Sequence, residues 1–148
     1  MNMNALPSEQ AAVVATIDPD AYAASTVLSD AIDMADFESI MAIIMAGTLV
    51  TNATLDAKLT QATTSGGTYK DITGKAITQL TEAGTDSDKQ AIINCRREDL
   101  DIDNGYRYVK LSLTLATAGG DAGAAVLGFS PAVQPASDND LASVDEIV

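Results

Sequence analysis

Asp99, Asp101 and Asp103 stand at alternate positions just ahead of Asn104-Gly105 and form the chain's one metal-like motif. Three carboxylates in that spacing supply hard oxygen ligands of the kind calcium takes, and they resemble the opening of an EF-hand loop. That loop needs glycine at its sixth position and glutamate at its twelfth. Counted from Asp99, those places hold Asn104 and Lys110, so the match fails. The plainer expectation is an acidic, solvent-facing edge leading into a turn, with weak calcium binding as the alternative. Cys95 is the sole cysteine, which rules out an intramolecular disulfide. Nucleophilic work by its thiol would want a histidine partner, and the chain has no histidine. A buried free thiol is expected instead, and a Ser/His/Asp site is impossible. Thr73-Gly74-Lys75 matches the end of a phosphate loop, but Tyr69 occupies the place of its earlier glycine. Gly119, Gly120 and Gly123 lack a following helix signal and read as a flexible hairpin. No carboxylate pair is marked out for glycoside hydrolysis. Neither an enzyme nor a cofactor is expected.

The charge points the same way. Net charge is −13, with eight acids and no base before Lys58, and five acids and no base after Lys110. Such a surface repels phosphate backbones, so no nucleic-acid partner is expected. Arg96-Arg97, with Arg107 and Lys110, forms the one basic cluster. Its plain role is pairing with Glu98 and nearby aspartates, each exposed pair worth roughly 0–1 kcal/mol. Its functional reading is a contact with an acidic neighbouring subunit, through Arg96 and Arg97. The longest apolar run, Ile40–Val50, is too short to span a bilayer, which takes about 20 residues. Residues 1–7 show no basic region followed by an apolar one, so no secretory signal and no membrane are expected.

These residues must be positioned by strands. Asn104-Gly105 is a strong turn signal, and Tyr106–Ala116 alternates after it. Arg107, Val109, Leu111, Leu113 and Leu115 point to one side, Tyr106, Tyr108, Lys110, Ser112 and Thr114 to the other. That is the period of a half-buried strand, with Leu111 and Leu113 inside and Ser112 facing away. Thr54–Thr63 alternates in the same way, as does Gln90–Arg96. Ala11–Ile17, stopped by Asp18-Pro19-Asp20, Tyr22–Leu28, Tyr69–Ile72, Ala76–Leu80 and Ala124–Phe129 are shorter candidates, and Ser29–Asp36 reads as a connection. Ile40–Ala46 is apolar on both faces, as a central strand would be, while a helix from Asp36 to Gly47 competes for it. Seven to nine short strands about ten residues apart predict an all-β fold: an antiparallel sandwich, jelly-roll or Ig-like. At 148 residues this is one domain. The expected division is an extended N-terminal arm over 1–10, the sandwich over 11–130 and a C-terminal tail over 131–148.

Four stretches together resemble a loose group of small tailed-bacteriophage virion proteins. They are Ile32-Asp-Met-Ala-Asp-Phe-Glu-Ser-Ile40; Thr54–Thr63 with the following Ser-Gly-Gly-Thr-Tyr-Lys-Asp-Ile; Asn104-Gly-Tyr-Arg-Tyr-Val-Lys-Leu111; and Leu127-Gly-Phe-Ser-Pro131. The resemblance covers roughly residues 26–132 and carries over no catalytic residue. It implies a β-sandwich component of the virion, made in the bacterial host cytoplasm and placed on the capsid surface as a decoration or cement protein. The partners it implies are the major capsid protein and copies of the protein itself, since decoration proteins of this kind are often trimers. Two other readings compete. One is a phage tail component, tail-tube or tail-completion. The other is a carbohydrate-binding sandwich module, which usually needs exposed aromatics, and here only Tyr22, Phe37, Tyr69, Tyr106, Tyr108 and Phe129 exist.

The tail adds one more candidate surface. Leu141, Val144 and Val148 (or Ile147) recur at helical spacing after an Asp138 or Asn139 cap. A disordered tail gains nothing from an apolar stripe. Residues 136–148 are therefore expected to dock on a neighbouring subunit, and a chain ending at Pro135 is expected to keep its fold.

Overall fold

A computed structural model describes residues 3–148. Among these residues ten strands form two antiparallel sheets. The strands are β1 (Ala11–Tyr22), β2 (Ser25–Leu28), β3 (Ile32–Asp33), β4 (Phe37–Leu49), β5 (Thr54–Ala62), β6 (Lys70–Ala76), β7 (Leu80–Thr81), β8 (Gln90–Arg96), β9 (Tyr108–Ala116) and β10 (Gly120–Pro131). The first sheet runs β1-β10-β4-β8 and the second β2-β9-β5-β6, with β3 also on β9 and β7 also on β5. The pairs are nested: β1 with β10, β2 and β3 with β9, β4 with β8, β5 with β6 and β7. The chain is thus one long antiparallel hairpin, rolled so that β10 also meets β4 and β9 also meets β5. With β2–β3 and β6–β7 each taken as one interrupted strand, this is the eight-stranded double Greek key of a jelly roll. The expected antiparallel sandwich is what the chain forms, and the jelly roll is its topology.

The core lies between the sheets and follows the alternation. From the first sheet come Ile17, Ile40, Ile44 and Val126; from the second, Leu55, Leu59, Leu111 and Leu113, each no more than 3% exposed. Each such side chain contributes about 1.5–3 kcal/mol on burial. Ile40–Ala46 is strand, and its helical alternative is not formed. The second candidate strand, Tyr22–Leu28, narrows to β2. Ser29 ends β2 by taking over its ladder. Its N–H donates to Leu111 O, and its Oγ accepts from the Leu111 N–H, both at 2.9 Å. The Ser29–Asp36 connection resumes the sheet briefly as β3.

Several boundaries differ from expectation for local reasons. Asp18-Pro19-Asp20 does not stop the first strand. β1 continues to Tyr22 with a register shift between Ile17 and Asp20, and Pro19 is tolerated because β1 is an edge. Gly74 does not split two strands either. It lies inside β6 at φ +76°, where the register against β5 shifts, as a glycine bulge does. β9 begins at Tyr108, two residues late, because Ile102–Asn104 forms a 3-10 turn closed by Gly105 at φ +77°. Ser112 points away from the core as expected, yet it is buried, held in register between Leu28 and Lys58.

The ends also depart from the expected arms. Met1 and Asn2 lie outside the described residues. Pro7–Gln10 coils into one helical turn, with the Leu6 N–H on Glu9 Oε2 at 2.7 Å, and packs on a 3-10 turn at Ala136–Asn139. Beyond that turn the tail forms no helix.

Candidate functional site on the outward face of the first sheet

The two outward faces of the sandwich are chemically unlike. On the second sheet the register sets Thr26 beside Thr114 and Asp56, then Ser112 between Lys58 and an exposed Leu28, then Lys110 beside Thr60 and Asp71, then Asp33 beside Tyr108. Several of those groups satisfy one another. Lys58 pairs with Asp71 at 2.8 Å, and the Thr26 and Thr114 hydroxyls meet at 2.9 Å. This is the polar outer face a sandwich usually presents.

The first sheet presents the opposite. Its rows read Ala11–Phe129–Ser39–Arg96, then Val13–Leu127–Met41–Asn94, then Thr16–Ala125–Ile43–Ile92, then Gly123–Met45–Gln90. Arg96 is the one charge among these positions. Met45 is 44% exposed and Ile92 57%. Met41, Ile43, Leu127 and Phe129 are half-buried, shielded largely by each other. Shallow pockets of about 410 Å³ open at both ends of the face. One is beside Met41, Asn94 and Phe129, the other beside Met45, Gly47 and Asp121. Contiguous exposed apolar faces of this kind are characteristic of interaction sites. The sequence carries no separate signal for it, because the apolar outward positions of β4 look like a second buried face of a central strand.

The residues singled out in the sequence fall in different places. Arg96 lies on the apolar face, held by Glu98 at 3.2 Å. Arg97 starts a 3-10 turn away from it and lines a small surface pocket with Leu100 and Tyr106. Leu141 docks on its own chain: its N–H donates to Val13 O at 2.9 Å, while Asp140 Oδ1 accepts from the Val13 N–H at 2.6 Å. The tail therefore closes the free edge of β1 at Val13, which corrects the expectation that all of residues 136–148 reach for a neighbour. Val144 turns back on Leu141, and Ile147 and Val148 are exposed.

The acidic connector is occupied by the protein's own cations. Asp99 pairs with Lys75 at 2.8 Å and accepts from the Arg96 N–H at 2.7 Å. Asp101 pairs with Lys70 at 2.6 Å and accepts from Asn104. Its Lys70 and Asn104 hydrogen bonds hold the Asp101 carboxyl below its ordinary pKa. Among the described residues no group of three or more His, Cys, Asp or Glu is placed to hold a metal ion. Cys95 is buried on the inner face of β8. Burial first, then the Asp99 carboxylate, push its thiol up to about 11, against Lys75. It is a neutral, unreactive thiol at neutral pH.

One cluster was not foreseen. Tyr69, Tyr106 and Tyr108, scattered in sequence, each carry a cation: Lys110 at 4.9 Å, Lys70 at 3.9 Å and Arg107 at 5.4 Å from the ring centres. Ring faces engaged by cations are not the open platforms on which sugars stack.

No family model matches the chain and no curated protein matches it. The resemblance to small tailed-phage virion proteins thus rests on the motifs quoted above. Among solved structures, the chain is similar to one in the structure of infectious bursal disease virus Gx strain. Identity is 15% and the TM-score 0.44, over 86% of this chain and 33% of that one. The chain spans about a third of that chain's length.

Proposed function

We propose that the protein is a structural component of a virion: a decoration or cement protein that sits on the outside of a phage head and stabilises it. The observation that carries this reading is the largely apolar face on the first sheet, whose one charge, Arg96, is already paired with Glu98. Such a face is a surface to be covered by another protein, and it has no chemistry of its own to perform. The sequence motifs supply the virion context. The jelly roll is compatible with it, being recurrent in viral capsids, although lectins and cupins share the fold and fold alone assigns no function. The mechanism is physical. The sandwich covers the junctions between shell subunits, and many copies add apolar contact and avidity against internal pressure. Its partners are then the major capsid protein and other copies of itself, with a trimer suited to closed symmetry on a lattice.

The test is co-sedimentation of the purified protein with purified heads that lack tails and lack this protein. Saturable binding in stoichiometry with shell subunits is expected. Binding to tails alone would assign it to the tail, and binding to neither would overturn the virion reading.

A further inference from the structure

We propose that the outward face of the β1-β10-β4-β8 sheet docks, in one direction, on a protein surface that is apolar at its centre and carries lysine or arginine at one end. This rests on the reading of the protein as an assembly component and names the chemistry of its partner.

Three observations carry it. The first is size. Rows about 7 Å apart on four strands about 4.8 Å apart give a strip on the order of 600 Å². A standard specific interface uses about 800 Å² per partner, so the strip and its rim are sufficient for one.

The second is polarity along the strip. At the Met45 end, Asp20 and Asp121 line the same pocket, and Asp88 donates its N–H to Gly47 O at 3.1 Å. Asp18, Asp20, Asp88 and Asp121 form no ion pair among the described residues. Lys89, close by in sequence, is held by Asp86 at 2.9 Å. The opposite end carries Arg96, already paired with Glu98, and beside it on β4 one exposed acid, Glu38, so the larger share of unpaired carboxylates is at the Met45 end. Complementary charge on the partner therefore belongs at the Met45 end.

The third excludes a second copy as occupant. Face-to-face pairing of two chains of net charge −13 would offer these aspartates two cations, Arg96 and Lys89, and both are already engaged. The partner is a different, basic-rimmed protein.

The test uses the full chain in two arms. In the first, binding to tailless heads is compared for wild type, Met45→Glu, Ile92→Glu, Asp20→Asn/Asp121→Asn and, on the other sheet, Thr114→Glu, with melting temperatures recorded for each. A loss of tenfold or more is expected for the two glutamate variants on the face, with melting temperature kept. The double asparagine variant loses several-fold and shows a flatter salt dependence, and Thr114→Glu binds as wild type. Loss confined to Thr114→Glu, or none at all, overturns the proposal. In the second arm the probe is a synthetic amphipathic helix with a leucine face and lysine rim, mapped by amide chemical shifts. Perturbation centred on Met41, Met45, Ile92 and Leu127, weakened by Asp20→Asn/Asp121→Asn, is expected. Perturbation elsewhere or nowhere overturns it, as does a wild-type dimer in sedimentation equilibrium that Ile92→Glu abolishes. A protein that ignores heads but passes the second arm keeps this proposal and loses the virion reading.

Discussion

Asp33 sits on a two-residue strand and fastens it to the start of β9 through Arg107, with Tyr108 opposite in register. The Arg107 hydrogen bond, helped by the Ala35 N–H and opposed by burial, holds the Asp33 carboxyl below its ordinary pKa. A depressed folded-state value stabilises the fold fully above the unfolded value of about 4. That stabilisation is lost as pH falls through the folded value. Asp33→Asn keeps an acceptor for Ala35 but loses the charge. Its melting temperature is therefore expected below wild type at pH 7, with the gap closing as pH drops under about 4. A gap independent of pH would mean that the loss is steric. Packing makes a second prediction. A Cβ added to Gly128 would lie 2.5 Å from Phe37 Cδ1, while one added to Gly66 meets nothing within 4 Å. Gly128→Ala is expected to cost about 1–3 kcal/mol in denaturant melts as an overpacked core. Gly66→Ala stays within about 0.5 kcal/mol. Equal costs would place Phe37 elsewhere.

At the scale of elements, β8 was legible to the residue and β9 nearly so. A clean two-residue alternation with apolar residues on one side reports its own register. What misled were residues whose local meaning depends on neighbours. Pro19 reads as a stop, yet on an edge strand its missing N–H costs no ladder bond. Gly74 reads as a break, yet beside β5 it is a bulge. The tail's apolar spacing reads as helix, yet β1 offers Leu141 a backbone partner that a short isolated helix would lack. The expected consequence of truncation changes accordingly. Ala136 is fully buried, and Asp140 and Leu141 close the β1 edge at Val13. A chain ending at Pro135 is expected to melt lower than wild type and to exchange the Val13 amide faster. A chain ending at Leu141 is expected to match wild type in both. If both truncations melt as wild type does, the β1 edge does not depend on its cover.

For the whole molecule, alternation was enough to announce a sandwich but not to choose its topology. β1 pairs with β10 from Ala11↔Phe129 onward, and nothing local in either segment names the other. The apolar face escaped notice for the same reason: four strands far apart in sequence build it. Charge is also a property of the whole, and it decides how the fold responds to salt. Among the described residues, six of the eight Lys and Arg side chains are in ion pairs, five of them at 2.6–3.2 Å and the sixth between Arg107 and Asp33. Those separations lie far inside the Debye length, which falls from about 30 Å at 0.01 M salt to about 8 Å at 0.15 M. Salt in that range therefore weakens the pairs little. The unpaired acids, which outnumber the unpaired cations and so set the net −13, are spread over the surface and repel across distances comparable to the longer length. Screening thus removes repulsion faster than it removes attraction. The melting temperature at pH 7 is expected to rise between 10 and 150 mM sodium chloride, roughly the range over which the Debye length contracts. Near the sequence pI of about 4.1 the net charge vanishes, and the salt response should vanish with it. Thermal melts followed by circular dichroism at both salts and both pH values check this. A melting temperature that falls with salt at pH 7 would show that the ion pairs outweigh the repulsion between the acids.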